Sequence, residues 1–320
     1  PVPSRFLSIP IKRADYPPGV TIVSPGLARN LRKQRYDLVI AIEYNMSVIW
    51  SILAAWRTAT RVAIFQEHQR SDSAMMRLIR RFMARRCSLI IGNTRAACDE
   101  VVANLGIPRE RIAEIPLLMA PPKSHLLRKP MQLPHPLCRP LFLCVAQLIP
   151  RKNVGLLLDA AAILRRRGLN FTVWIVGVGP MKEELVAHRD GLGLQGVVEF
   201  VGAIPYESIG FAYQECDVFV LPTLNDYRSV SVLEAMRFGK PILLSKGDGN
   251  AGDLVHHRDN GFIFDPRNFE ELAEHMAALI CQPELREQMG NRSAELAEQY
   301  DLKRSAQLLA DWIRRMTECT

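Results

Sequence analysis

The run Leu141-Phe-Leu-Cys-Val-Ala146 is followed by a polar turn, then by Val154-Gly-Leu-Leu-Leu-Asp-Ala-Ala-Ala-Ile-Leu-Arg-Arg-Arg167 and Phe171-Thr-Val-Trp-Ile-Val176. A short, wholly apolar run reads as a strand buried on both faces. A longer stretch with apolar positions every three or four residues reads as a helix. Strand, helix and strand at this spacing make a parallel β-α-β unit, so the fold class is α/β.

The alternation extends in both directions. Downstream, Met181–His188 starts a helix, Val197–Val201, Val218–Leu221 and Pro241–Ser245 are strands, and Phe262–Phe264 is a last short one. From Glu270 the chain is helical, with Pro283 and Asp301 marking restarts and a final helix over Leu302–Met316. Upstream, strands are expected at Asp37–Ile42, Arg61–Phe65 and Ser88–Gly92. Helices are expected near Asn45–Trp56, over Ala74–Arg86, and from the cap Thr94 to about Gly106. Residues 1–36 are proline-rich and offer no strand, glycine loop and helix in series, so the first sheet is expected to lack its opening unit. The stretch from 121 to 140 carries Pro121, Pro122, Pro130, Pro134, Pro136 and Pro140 without periodicity and reads as a linker. The expected organisation is 1–120, a linker over 121–140, a second domain over 141–300, and a C-terminal helix over 301–320 that crosses back to the first.

Composition supports two packed domains. The chain has 320 residues, 48% hydrophobic and 23% charged, more than one ordinary core accommodates. Disordered, collagen-like and disulfide-stapled classes are excluded on that ground. The longest nearly apolar stretch, Met46–Trp56, is well short of the roughly 20 residues a spanning helix needs. No basic start with an apolar run suggests a leader, and seven cysteines without a CxxC pair read as reduced thiols of a cytosolic protein. The net charge of +8 is uneven. Residues 1–140 hold 22 Lys+Arg against 9 Asp+Glu, a net +13, which leaves −5 for the remainder. A basic half attracts nucleic acid, anionic membrane or phosphorylated substrates. No basic motif interleaved with aromatics appears, so nucleic acid is not expected.

Three segments can carry chemistry. Ala146-Gln-Leu-Ile-Pro-Arg-Lys-Asn153 runs from a strand end into a helix, where unpaired amides together with Arg151 and Lys152 suit a phosphate. The alternative is a solvated basic loop. Gly177 and Gly179 follow a strand, but Pro180 interrupts and Lys182 replaces the third glycine of a dinucleotide loop, so a tight turn is expected instead. The third is Leu221-Pro-Thr-Leu-Asn-Asp-Tyr-Arg-Ser-Val-Ser-Val-Leu-Glu-Ala-Met236. It can aim Asp226 and Glu234 at sugar or ribose hydroxyls, with the amides of Ser229, Val230, Ser231 and Val232 facing a phosphate. Equally, Ser231-x-x-Glu234 matches a capping box, which needs no ligand.

These segments, with Phe200-Val-Gly-Ala-Ile204, Cys216-Asp-Val-Phe-Val-Leu-Pro222, Gly239-Lys-Pro241 and Asn260-Gly-Phe-Ile-Phe-Asp-Pro266, resemble in order the donor domain of retaining glycosyltransferases of family four. Gln34–Ile40, Cys87–Thr94 and Gly106–Pro116 resemble the same family's acceptor domain. The resemblance implies a GT-B architecture, two Rossmann-like domains facing a cleft, the N-terminal one incomplete here. It implies transfer of a hexose-type sugar from a nucleotide-diphosphate sugar to a glycan or lipid-linked acceptor, with retention and without metal or cofactor. On the matching positions, Glu234 would bind the donor ribose, Asp226 would stand at the reacting sugar, and Lys152 would hold the diphosphate. Arg151 would stand in for the companion arginine, whose place Gln147 occupies, and Gly202 and Ile204 would form the turn at the base. The chain contains no D-x-D pair, in keeping with metal-independent chemistry. Rival readings are a donor-binding protein without full catalysis and a sugar-nucleotide epimerase.

On the acceptor side, His68 after the second strand, in a place some relatives fill with a cleft histidine, and Glu43 and Tyr44 after the first are candidates, each against the plainer reading of a surface loop. The helix Ala74–Arg86 interleaves apolar residues with Arg77, Arg80, Arg81, Arg85 and Arg86. Family members often act on lipid-linked acceptors, and such a face would suit the inner surface of an anionic membrane. The commoner alternative is a packed helix with a solvated arginine face.

Overall fold

A computed structural model describes residues 31–33, 36–44, 46–56, 60–66, 73–116, 134, 138–226 and 228–318. The expectation about residues 1–36 and His68 lie largely or wholly outside them, as does most of the 121–140 stretch. Among the described residues the strands form two parallel sheets.

The first sheet contains β1 (Leu38–Ile42), β2 (Arg61–Gln66), β3 (Leu89–Gly92) and β4 (Ile112–Glu114), side by side in chain order. The connecting helices are α1 (Met46–Ala55), α2 (Ala74–Arg86) and α3 (Arg95–Glu100), capped by Thr94 and widening to a π-turn before the left-handed Gly106. Right-handed crossovers between strands in chain order put every connecting helix on one face. Strand periodicity then sorts the side chains. Val62, Ile64, Ile90 and Ile112 pack under the helices, whereas Ala63, Leu89, Ile91 and Ala113 point to the other face. That face is covered by the last helix, α10 (Leu302–Glu318), through Leu309, Trp312 and Met316 at helical spacing. β4 is absent from the sequence reading; three residues are too few to show a period.

The second sheet has the order β10-β9-β8-β5-β6-β7. Its elements are β5 (Leu141–Val145), α4 (Val154–Arg166), β6 (Thr172–Val176), α5 (Lys182–Gly191), β7 (Val198–Gly202), α6 (Tyr206–Glu215), β8 (Val218–Leu221), α7 (Val230–Arg237), β9 (Ile242–Ser245) and β10 (Gly261–Phe264). Helices α8 (Phe269–Cys281) and α9 (Pro283–Glu298) complete it. A continuous buried core joins all these strands, with Trp174, Tyr213, Phe142, Phe219 and Phe264 among its largest fully buried side chains. From β5 the chain winds first toward β7 and then, starting at β8, toward β10. Strand order therefore reverses between β5 and β8, and a crevice opens beyond their carboxyl ends.

Candidate active site

The loops after β5, β6 and β8 line a cleft of about 810 Å³ at that switch point. Its floor is main chain. Gly177 has φ +142°, and a Cβ there would stand 1.9 Å from the Ala146 carbonyl oxygen; one at Gly179 would stand 2.3 Å from that of Leu148. The glycines thus let two strand ends touch, which confirms the tight turn in place of a dinucleotide loop.

After β5 a single 3-10 turn, Pro150–Lys152, ends at Asn153, which adopts φ 53°. Asparagine tolerates this left-handed conformation. Its side-chain amide donates to the carbonyls of Pro222 (3.2 Å) and Pro266 (2.8 Å), tying the turn to the ends of β8 and β10. Lys152 is thereby buried, 8% exposed, with Nζ donating to Asp226 Oδ2 and to Ser229 Oγ at 3.3 Å. Arg151 Nη1 reaches the same Asp226 oxygen at 2.8 Å, and Ser229 Oγ donates to it at 3.1 Å. Burial opposes ionisation of Asp226, but the hydrogen bond and charge of Lys152, then Arg151, outweigh it and hold the carboxyl below its ordinary range. The Asp226 main chain is paired to the loop after β9, its N–H to Gly247 and its carbonyl to the Gly249 N–H.

Glu234 also lines the cleft and is 7% exposed. Helix α7 begins at Val230 with Ser229 as its N-cap, and no side chain caps it. Ser231 is therefore inside the first turn and the capping box does not form. Instead Glu234 Oε2 accepts from the Tyr213 hydroxyl at 2.7 Å. Burial lifts its pKa above the ordinary value despite the hydrogen bonds from Tyr213 and Tyr206. A buried carboxylate of this kind gains from a ligand that donates hydroxyls to it.

Other expectations are revised. Ser229, Val230, Ser231 and Ile204 line the cleft. Val232 lies in the core and its N–H donates to the Ser229 carbonyl, so its amide does not face a ligand. The Ser229 N–H is directed to buried Asp248 at 3.5 Å. That leaves Val230 and Ser231, whose amides precede any helical acceptor. Gly202 shapes the turn after β7, its carbonyl accepting from Gly177, while Ala203 beside it lines the cleft. Glu43, at φ 59°, and Tyr44 end β1 outside the cleft. Tyr44 packs into the first core with its hydroxyl buried, beneath the guanidinium of Arg80 at 5.4 Å. Arg80 is accordingly buried and unavailable to a membrane. The rest of α2 meets the plainer reading in part, with Met83 and Ala84 packed in the first core, while Met75 and Leu78 are 70% and 68% exposed.

Sequence reasoning does not reach Tyr206, Tyr213, Asp248 or Arg228. The Gly-rich polar run Lys246-Gly-Asp-Gly-Asn250 directly after a strand is an available signal for Asp248. No local pattern announces the tyrosines, which α6 delivers from elsewhere in the chain. Among the described residues no cluster of His, Cys, Asp and Glu could hold a metal ion, and no helix is long and apolar enough to cross a membrane.

Two parallel α/β bodies with a ligand crevice at the second sheet's switch point define the GT-B class of fold. Solved structures agree: that of Anabaena Alr3699/HepE in complex with UDP superposes with a TM-score of 0.77 at 20% identity, covering 91% of this chain and 81% of that one. Residues 128–296, just over half of the chain, match the family glycosyl transferases group 1, and residues 3–117 match Glycosyltransferase Family 4. The chain belongs to the glycosyl transferases group 1 family. Among its relatives are the alpha-D-kanosaminyltransferase of Streptomyces kanamyceticus, 29% identical over 56% of this chain and 46% of that protein. Another is a GDP-mannose-dependent alpha-(1-6)-phosphatidylinositol monomannoside mannosyltransferase of Mycobacterium tuberculosis, 28% identical over 55% and 48%. The match thus spans about half the length of these relatives.

Proposed function

We propose that the chain binds a nucleoside-diphosphate sugar in the cleft and transfers its hexose-type sugar to a glycan or lipid-linked acceptor, with retention and without a metal. The observation that carries this reading is the gathering of Lys152, Arg151, the start of α7 and Glu234 around one cleft. Cations and free amides suit a diphosphate, and a carboxylate suits ribose hydroxyls. Departure of a nucleoside diphosphate needs its growing charge stabilised, which Lys152, Arg151 and the Val230 and Ser231 amides supply by position alone. Asp226 pairs with both cations through one carboxylate oxygen and balances one of their two charges. A bound diphosphate takes over that task and frees Asp226 for the sugar. The kanosaminyl and mannosyl transfers named for the relatives and the UDP held by the structural neighbour support this choice.

Calorimetric titration with UDP, GDP and ADP and their sugar forms, with and without chelator, tests it. Micromolar binding to one nucleotide, insensitive to chelator and lost in Glu234→Ala, is expected. Absence of binding to every nucleotide would remove the donor site. Product analysis separates transfer from epimerisation, which returns an altered sugar still attached to its nucleotide.

The same reading places the acceptor at an anionic membrane surface. Met75, Leu78 and Phe82 form an exposed apolar strip on α2, flanked by Arg77, Arg81, Arg85 and Arg86, and the helix contains no acidic residue. The chain is expected to sediment with phosphatidylglycerol vesicles and not with phosphatidylcholine vesicles, and to lose this in a Leu78→Glu, Phe82→Glu double variant. Equal behaviour with the two lipids, or no loss in the variant, would overturn the assignment.

A further inference from the structure

Arg228 lies two residues beyond Asp226, in the loop between β8 and α7, and its side chain is 4% exposed. A guanidinium is rarely taken out of water without a task. Its Nη1 donates to the main-chain carbonyl of Asn93, at the end of β3 in the first body. The same nitrogen lies 3.3 Å from Asp253 Oδ2, in the second body. The guanidinium sits 5.7 Å from the centre of the Tyr300 ring, at the point where the chain turns back into α10. One side chain therefore touches the first sheet, the loop after β9, the return of the chain and the wall of the donor cleft.

These contacts are also incomplete. Nε and Nη2 are buried without hydrogen-bond partners. Burial lowers the pKa of the group, opposed chiefly by Asp253. A buried cation with three of its five N–H groups unpaired is held against its solvation, and that desolvation cost offsets much of what its contacts contribute.

We propose that Arg228 is a positioning residue, a releasable latch that fastens the first body at Asn93 to the loop carrying Asp226 and Ser229, so that closure of the two bodies and arrangement of the reacting end of the cleft are set together. This rests on the reading of the cleft as a donor site. It assigns Arg228 no contact with the nucleotide, which is where the two can be told apart.

The experiment compares the full chain with Arg228→Ala and Arg228→Lys, checking each for a cooperative thermal transition. The readouts are calorimetric Kd for the nucleoside diphosphate that the parent binds, kcat for hydrolysis of its sugar form, and the radius of gyration from small-angle X-ray scattering without ligand. Arg228→Ala is expected to keep Kd within about threefold. It should lose on the order of 100-fold in kcat, the scale of a misplaced reacting group, and scatter as a larger particle. Arg228→Lys, whose single ammonium cannot serve both Asn93 and Asp253, should lie between. Unchanged kcat and radius would overturn the latch. Loss of Kd in step with kcat at constant radius would also overturn it, by making Arg228 a donor ligand. Should the parent bind no nucleotide, the donor reading fails while the scattering comparison still decides the latch.

Discussion

Lys152→Ala is expected to weaken binding of the nucleoside diphosphate by about 100-fold, the equivalent of about 3 kcal/mol for a charge-assisted hydrogen bond formed inside the protein. The lysine is buried, and the pinned Asn153 fixes its approach. Little of its binding energy is then spent on ordering. Calorimetric titration of the variant reads the loss directly, and a Kd within about threefold of the parent would contradict it. A second consequence concerns pH. Asp226 has a pKa below its ordinary value of 3.8 in the folded protein. A carboxylate of that kind adds stability above its unfolded pKa and loses it as pH falls through the folded value. With Lys152 gone the lowering shrinks, so the variant's melting temperature should fall less than the parent's between neutral pH and the folded pKa of Asp226, while Arg151 retains part of the effect.

Gly177→Ala should be the most damaging single methyl group in the second body. The added carbon would lie 1.9 Å from the Ala146 carbonyl oxygen, and φ +142° is closed to alanine in any case. Neither β5 nor β6 can retreat, since both are buried inside the sheet. A loss of more than about 3 kcal/mol in urea unfolding is expected. Gly191 is the control. It ends α5 with nothing within 4 Å of the place a Cβ would take, and alanine there should change stability by less than about 1 kcal/mol. Similar midpoints for the two variants would show that the strand ends are not in contact.

The second sheet was legible because its strands are apolar on both faces and its helices are not, so the two periods separate cleanly. β4 and the widened turn after Glu100 were not, since one is three residues long and the other depends on hydrogen-bond geometry. The site was half legible. Lys152 and Asp226 sit at strand ends, where chain direction alone puts them in the crevice. For Glu234 the pattern allowed a cap as readily as a ligand, and only the start of α7 at Val230 rules out the cap. Val232 shows the limit of counting amides, because a helix consumes its own after the first turn. Arg80 and Tyr44 show the limit of counting charges and hydroxyls. Arg80, buried and stacked on Tyr44, is interior whatever its residue type suggests.

The winding of the first sheet also bears on synthesis. Its four strands leave the ribosome before the second body does, yet the face formed by Ala63, Leu89, Ile91, Ala113 and Ile115 packs against Leu309, Trp312 and Met316, which follow that body. Through most of translation that apolar surface is bare, the condition in which nascent chains stick to one another or to chaperones. The helix that covers this face of the first sheet is made only after the whole second body.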